Sequence, residues 1–240
     1  MIRTAVILAA GMGTRLGGEA GESPKGFLRF GRLTIIEESI ERLVTAGIND
    51  IVIVTGHGAE HYERLAAGSA GLMRTVHNPR FADSGSMYSL YCARDAVDQD
   101  FLLLESDLIY ESRALTELLA EPAPDAVLLS GSTGAGDEVW VETHDGDLGA
   151  MSKDRNALSG PVAGELVGIS KISVELFSLM QEIAAKAFAT SLHYDYETDC
   201  LVAAAARRKI RCPVVADLVW SEIDDPGQLR RARERVYPRL

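Results

Sequence analysis

A chain of 240 residues, 47% of them hydrophobic, can bury a full core without disulfide or metal staples. A formal charge of −11, with the one arginine-rich stretch (230–239) interrupted by Glu234, argues against nucleic acid and anionic membrane as partners. No stretch is apolar for long enough to span a bilayer, and the apolar start is too short for a signal peptide. Cys92, Cys200 and Cys212 have no paired spacing and read as small buried residues in a reducing compartment, so the expectation is a soluble cytoplasmic protein.

In chain order, residues 4–9 form an apolar run of buried-strand type. Ile35, Ile36, Ile40, Leu43 and Val44 recur at helical spacing, and Gly47 closes that helix. A second strand is predicted over 51–55, a short helix near 60–67 and a third strand over 72–77. The pattern predicts a helix over 87–97, a buried strand over 101–104, and further strands over 125–130 and 139–143. The Gly-, Asp- and Ser-rich segment 131–168 carries short strands and reads as an insertion that closes over a substrate. Helices follow over 174–189 and 196–208, and Asp225-Pro226 supply the N-cap and first turn of the last one.

Strands alternating with helices predict a single three-layer α/β domain over 1–240 with a mainly parallel sheet. Sites in such sheets lie beyond the carboxyl ends of the strands. Three suspect segments fall there: the loop after Ala9, Gly56-His57, and Glu105-Ser106-Asp107.

The first of these carries the most chemistry. Leu8-Ala9-Ala10-Gly11-Met12-Gly13-Thr14-Arg15-Leu16 leads to Ser23-Pro24-Lys25. Gly11 and Gly13 lack a Cβ, so the backbone there can adopt positive φ and offer N–H groups to an anion. Arg15 brings a planar fork for phosphate oxygens and Lys25 a mobile point charge. A Walker loop would need a lysine directly after the glycines, and a dinucleotide fingerprint would need glycine at position 16. A tight turn bearing two surface cations is the plain structural alternative.

The string Leu8 to Leu16, followed by Pro24-Lys25, resembles the signature of the nucleotidyltransferase superfamily, which includes sugar-nucleotide pyrophosphorylases and small cytidylyltransferases. The resemblance implies a Rossmann-like nucleotidyltransferase fold with a mixed, mainly parallel sheet and a small inserted substrate-covering segment. It implies that the loop wraps nucleotide phosphates and that Arg15 and Lys25 contact the reacting ones. It also implies Mg2+ as cofactor, held by Asp107 after the strand 101–104 and by Asp224 in Trp220-Ser221-Glu222-Ile223-Asp224. Glu105 stands as a third ligand or a ribose acceptor. No general base is assigned, and His57, His61 and His77 read as loop or surface residues.

Within the superfamily the chain is most similar to the phosphocholine and phosphonate cytidylyltransferases. The segment Asn78-Pro79-Arg80-Phe81-Ala82-Asp83-Ser84-Gly85-Ser86-Met87-Tyr88-Ser89-Leu90 carries that likeness. It implies CTP as donor, with Gly56, Asn78, Ser84, Gly85, Ser86 and Ser106 completing the nucleotide set. Trp140, Tyr194, Asp195 and Glu197 bring rings and acids together for an ammonium head, and Lys153 is a candidate for the acceptor's phosphonate. Core filling and helix capping explain the same residues without a ligand. The expected acceptor is 2-aminoethylphosphonate, then phosphocholine or 2-hydroxyethylphosphonate. A sugar-1-phosphate nucleotidyltransferase and an inactive nucleotide-binding scaffold are the rivals. A homodimer, or fusion to another enzyme domain, stays open.

Overall fold

The computed structural model describes residues 2–19 and 23–240. Its first strand, β1 (Thr4–Ala9), is buried along its whole length. Helix α1 (Ile35–Thr45) opens on a capping box between Thr34 and Glu37, the local signal that starts it. Then come β2 (Asp50–Thr55), α2 (Ala59–Ala67), β3 (Met73–His77), α3 (Ser86–Cys92) and β4 (Phe101–Glu105). A short β5 (Leu108–Tyr110) and α4 (Arg113–Ala120) precede β6 (Ala126–Ser130). The hairpin β7 (Trp140–His144) and β8 (Asp147–Ser152) leads to β9 (Val162–Ile172) and α5 (Val174–Ala187). A π-type turn at Tyr196–Leu201 runs into α6 (Val202–Ala205), and β10 (Val214–Val215), β11 (Trp220–Glu222) and α7 (Pro226–Arg231) follow.

The main sheet has nine strands, in the order β10-β6-β9-β4-β1-β2-β3, with the β7/β8 hairpin attached along β9. β1 pairs in parallel with both β2 and β4, and β2 with β3, whereas β9 runs antiparallel to β4 and β6. Strand order reverses at β1, because the chain moves outward through β2 and β3 and returns on the other side as β4. The crevice beyond the tips of β1 and β4 is therefore where a ligand site is expected in an open α/β sheet.

The period of two along β1 distributes its side chains to opposite faces. Val6 and Leu8 enter one apolar cluster with α3 and α5, and Ala5, Ile7 and Ala9 enter another with α1 and α4. A third cluster joins Leu16, Ile35, Ile109, Ile223, Leu229 and Val236. It pins the end of the glycine loop to the C-terminal segment. Asp225 caps α7 as predicted, accepting from the N–H groups of Gly227 and Gln228 at 2.7 and 2.9 Å.

Five elements differ from the sequence reading. The segment 131–168, expected as an insertion, ends inside the main sheet, because β9 begins at Val162 and lies between β6 and β4. Its glycines disguised it, and they are there for close approach: a Cβ at Gly164 would fall 2.5 Å from the carbonyl oxygen of Ser130. The helix predicted over 87–97 ends at Cys92, and the one predicted over 196–208 starts as the π-type turn. Strand β5 and helix α4 were not anticipated. Among the described residues, no helix is long and apolar enough to cross a membrane.

Candidate active site

A cavity of about 410 Å³ opens beyond the tips of β1 and β4. Leu8, Ala9, Ala10, Gly11, Met12, Gly13, Thr14 and Arg15 form one wall with Lys25. Gly13 takes φ +61°, the left-handed conformation that favours glycine, and its Cα packs against the Lys25 stem. Gly11 does not take positive φ; nothing lies within 4 Å of where its Cβ would point, so its role is openness, not backbone conformation. Leu16, 1% exposed in the third cluster, anchors the loop just after the exposed Arg15.

The opposite wall is acidic. Lys25 Nζ donates to Asp107 Oδ2 at 3.0 Å and also to Asp224, while Arg15 Nη2 donates to Asp224 Oδ2 at 2.6 Å. The cations and carboxylates singled out from the sequence thus form one network across residues far apart in the chain. The pairing of β5 with β11 makes this possible, since it sets Glu222 opposite Leu108, one residue from Asp107. The indole N–H of Trp220 fixes β11 in turn, donating to Ser130 Oγ at 2.8 Å.

Glu222 is the residue that sequence reasoning missed. One carboxylate oxygen each from Glu105, Asp107 and Glu222 lie within 4.8 Å of one another, and so do those of Asp137, Glu222 and Asp224. A signal was present: Glu105-x-Asp107 and Glu222-x-Asp224 are matching pairs at two strand ends, where residues two apart share a face. Asp137, from the loop before β7, had no such signal. Gln228 Nε2 holds it at 2.5 Å, and the same amide's oxygen accepts the Asp224 N–H.

Burial raises the Glu105 carboxyl well above its usual range, helped by Glu197 and Asp107, although the Tyr196 hydroxyl donates to it at 3.0 Å. Burial, then Glu105, Asp107 and Asp224, push Glu222 up to about 10. Asp107 rises because burial and Asp224 outweigh Lys25. Asp224 alone is lowered: burial opposes its charge, but Lys25 and Arg15 overcome it. Burial likewise opposes the Lys25 charge, and the two aspartates reverse the effect and hold the ammonium above its ordinary value. Crowded carboxylates that resist ionisation are a cation-seeking environment. The donor set is all oxygen and suits a hard divalent ion such as Mg2+.

Ser84, Gly85, Ser86, Ser106, Lys153, Asp195 and Glu197 also line the cavity. Four expected residues do not. Gly56 is a packing glycine, since a Cβ there would lie 2.5 Å from Phe81 and 2.6 Å from the Ala10 oxygen. Asn78 is fully buried and builds the following loop: its amide donates to Ser84 and Ser89 at 3.2 and 3.0 Å, and its oxygen accepts the Arg80 N–H at 2.8 Å. Trp140 carries the Arg155 guanidinium over its ring at 5.0 Å. Tyr194 packs against the apolar cluster, with its backbone against Gly85. A smaller cavity of about 60 Å³ adjoins the first, sharing Glu105, Lys153, Glu197 and Glu222 and reaching Glu138, Glu165 and Arg231.

The chain resembles known proteins in sequence and in fold. Residues 5–177 match the family described as the MobA-like NTP transferase domain. The CMP-5'-(3-aminopropyl)phosphonate synthase of Streptomyces rubellomurinus is 31% identical over 98% of this chain and 39% of its own length. The choline-phosphate cytidylyltransferase of Streptococcus pneumoniae is 32% identical over 48% of this chain and 49% of its own length. The chain therefore spans half or less of these relatives' length. The solved inositol-1-phosphate CTP transferase of T. maritima superposes with a TM-score of 0.81 over 95% of this chain and 91% of its own, at 20% identity, which establishes the shared fold.

Proposed function

The chain belongs to the MobA-like NTP transferase domain family, and from that premise we propose that it is a CTP-dependent cytidylyltransferase. It transfers CMP to a small phosphonate or phosphate monoester bearing an amine, and releases pyrophosphate. The observation that carries this reading is the ion-pair network Arg15–Asp224–Lys25–Asp107 at the mouth of a glycine-walled cavity. A triphosphate and a divalent ion would exchange into that network, phosphates to the cations and metal to the carboxylates.

The acceptor's phosphonate oxygen is already anionic near neutral pH, since such groups lose their second proton near ~6. It attacks the α-phosphorus of CTP, an O–P bond forms, and the bond to the β-phosphate oxygen breaks, its electron pair leaving on pyrophosphate. No general base is required. Lys25 and Arg15 neutralise charge on the phosphates, and the loop from Leu8 to Thr14 aligns them by backbone N–H groups. Glu105, Asp107, Glu222 and Asp224 would hold Mg2+, with Asp137 at the edge of the set. Bound there, the ion would supply Lewis-acid neutralisation of phosphate oxygens.

Asp195 and Glu197 share the cavity with Lys153, which gives an acceptor of mixed charge an acid and a cation to meet. The relatives named for aminopropylphosphonate and choline phosphate handle acceptors with a cationic nitrogen a few carbons from phosphorus. Of the residues expected to hold the acceptor's nitrogen, the carboxylates Asp195 and Glu197 line the cavity and the rings of Trp140 and Tyr194 do not, which favours a primary amine. The preferred acceptor is 2-aminoethylphosphonate, followed by phosphocholine and 2-hydroxyethylphosphonate. A cytoplasmic setting, where CTP is made, follows from the donor.

The test is pyrophosphate release with Mg2+ for CTP, UTP, ATP and GTP against these acceptors, 3-aminopropylphosphonate and glucose-1-phosphate. Turnover with CTP and amine-bearing acceptors is expected. Turnover with UTP and glucose-1-phosphate alone would replace this reading with a sugar-nucleotide enzyme on the same fold.

A further inference from the structure

Ser86 was expected to contact the nucleotide, yet its hydroxyl is committed elsewhere. The segments 84–87 and 192–197 are zipped together. The Gly85 N–H donates to the Leu192 oxygen at 2.8 Å and the Met87 N–H to the Tyr194 oxygen at 3.1 Å. The fit is close enough that a Cβ at Gly85 would lie 2.6 Å from the Tyr194 oxygen. Between these two bonds, Ser86 Oγ accepts the Tyr196 N–H at 2.9 Å.

That leaves the hydroxyl one proton. Asp195 Oδ1 lies at 3.3 Å and Glu197 Oε2 at 3.2 Å. Asp195 Oδ1 already receives the Ser86 backbone N–H at 3.3 Å. The backbone N–H thus holds Asp195 even when the hydroxyl proton goes to Glu197, so one residue contacts both acids.

We propose that Ser86 is a positioning residue that sets acceptor specificity by holding Asp195 and Glu197 toward the acceptor's amine. This rests on the reading above that these two acids take the amine. The nucleotide-side loop and the acceptor-side acids are then one assembled unit, joined at Gly85-Ser86.

The experiment is steady-state kinetics of wild type, Ser86→Ala, Ser86→Thr and Glu197→Gln, with CTP and either 2-aminoethylphosphonate or its amine-free counterpart ethylphosphonate. A hydrogen bond to a charged group lost in this way corresponds to roughly a tenfold change. Ser86→Ala should raise KM for the amine acceptor about tenfold, while KM for CTP and for ethylphosphonate stays within about twofold. Ser86→Thr, which keeps the hydroxyl, should recover most of the loss, and Glu197→Gln should lose the amine preference. A higher KM for CTP with the acceptor KM unmoved would return Ser86 to the nucleotide and overturn the proposal. Equal losses on both acceptors would overturn it too, as a purely structural effect. Should wild type itself show no preference for the amine, the reading of Asp195 and Glu197 fails first, and this proposal with it. If Ser86→Ala does not fold, Ser86→Cys keeps the shape with a weak donor, and the same acceptor-specific loss is expected of it.

Discussion

The two halves of the cavity are held by different kinds of bond. On the phosphate side, Arg15, Lys25, Asp107 and Asp224 are linked by full ion pairs, and Lys25 and Asp224 are largely shielded from solvent. On the side proposed for the acceptor, Asp195 and Glu197 are contacted by a serine hydroxyl and a backbone N–H, at 3.2 to 3.3 Å. Shielded charge pairs are costly to disturb, because a lost partner strands a desolvated charge. Neutral donors at longer range give smaller and more adjustable effects. The contrast suits a transferase whose donor chemistry is fixed and whose acceptor is the variable part.

Lys25→Ala tests the contrast at its strongest point. It removes the cation that two carboxylates share and that the proposed mechanism sets against the reacting phosphates. Turnover should fall by about a hundredfold to a thousandfold, the usual result of deleting one preorganised electrostatic partner. The measurement is pyrophosphate release at saturating CTP and acceptor, with circular dichroism as a check on folding. A loss smaller than that from Ser86→Ala would reverse the ranking of the two halves.

Much of the phosphate side was legible because its residues are consecutive or sit at strand ends. Leu8 to Arg15 is a single string, and Lys25 follows within the same stretch. Asp107 announces itself by following a buried run. Glu222 was overlooked because β11 is three residues long and its partner β5 equally short, too little pattern to read as strands. The acceptor side was harder for a physical reason. Trp140 and Tyr194 have the right chemistry for an ammonium, but only tertiary packing decides where a ring goes, and here neither lines the cavity. The same packing hid the place of β9 in the centre of the sheet, since its glycines make sense only once its neighbours are known.

Asn78 supports the boundary between the halves, and its effect should be intermediate. Its side chain makes three hydrogen bonds with no exposure to water, to Ser84, Ser89 and the Arg80 N–H. Asn78→Ala should cost about 1–3 kcal/mol of stability, the penalty for buried groups left unpaired. Urea unfolding reads it directly. Activity should fall mainly through a higher KM for CTP, because the loop that Asn78 holds lines the donor cavity. A variant with wild-type stability would mean that the loop is held by its backbone alone.

The smallest expected effect lies deepest on the acceptor side, at Glu165 in the adjoining cavity. Burial pushes its carboxyl up to about 7, although the Thr133 N–H and hydroxyl, at 2.6 and 2.9 Å, favour the ionised form. A carboxyl whose folded pKa lies above its unfolded value keeps its proton in the native state after the unfolded chain has lost it. Folding is then penalised progressively as pH rises from about 4.5 to about 7, and the penalty levels off above that. Glu165→Gln removes the titration but sacrifices one acceptor for Thr133. At pH 5 the variant should therefore be no more stable than wild type. Between pH 5 and 8 the difference in unfolding free energy should move in the variant's favour, by an amount on the order of 1–2 kcal/mol. A difference that stays constant across this range would show that solvent reaches Glu165, and that the acceptor side is open at its far end as well as at its mouth.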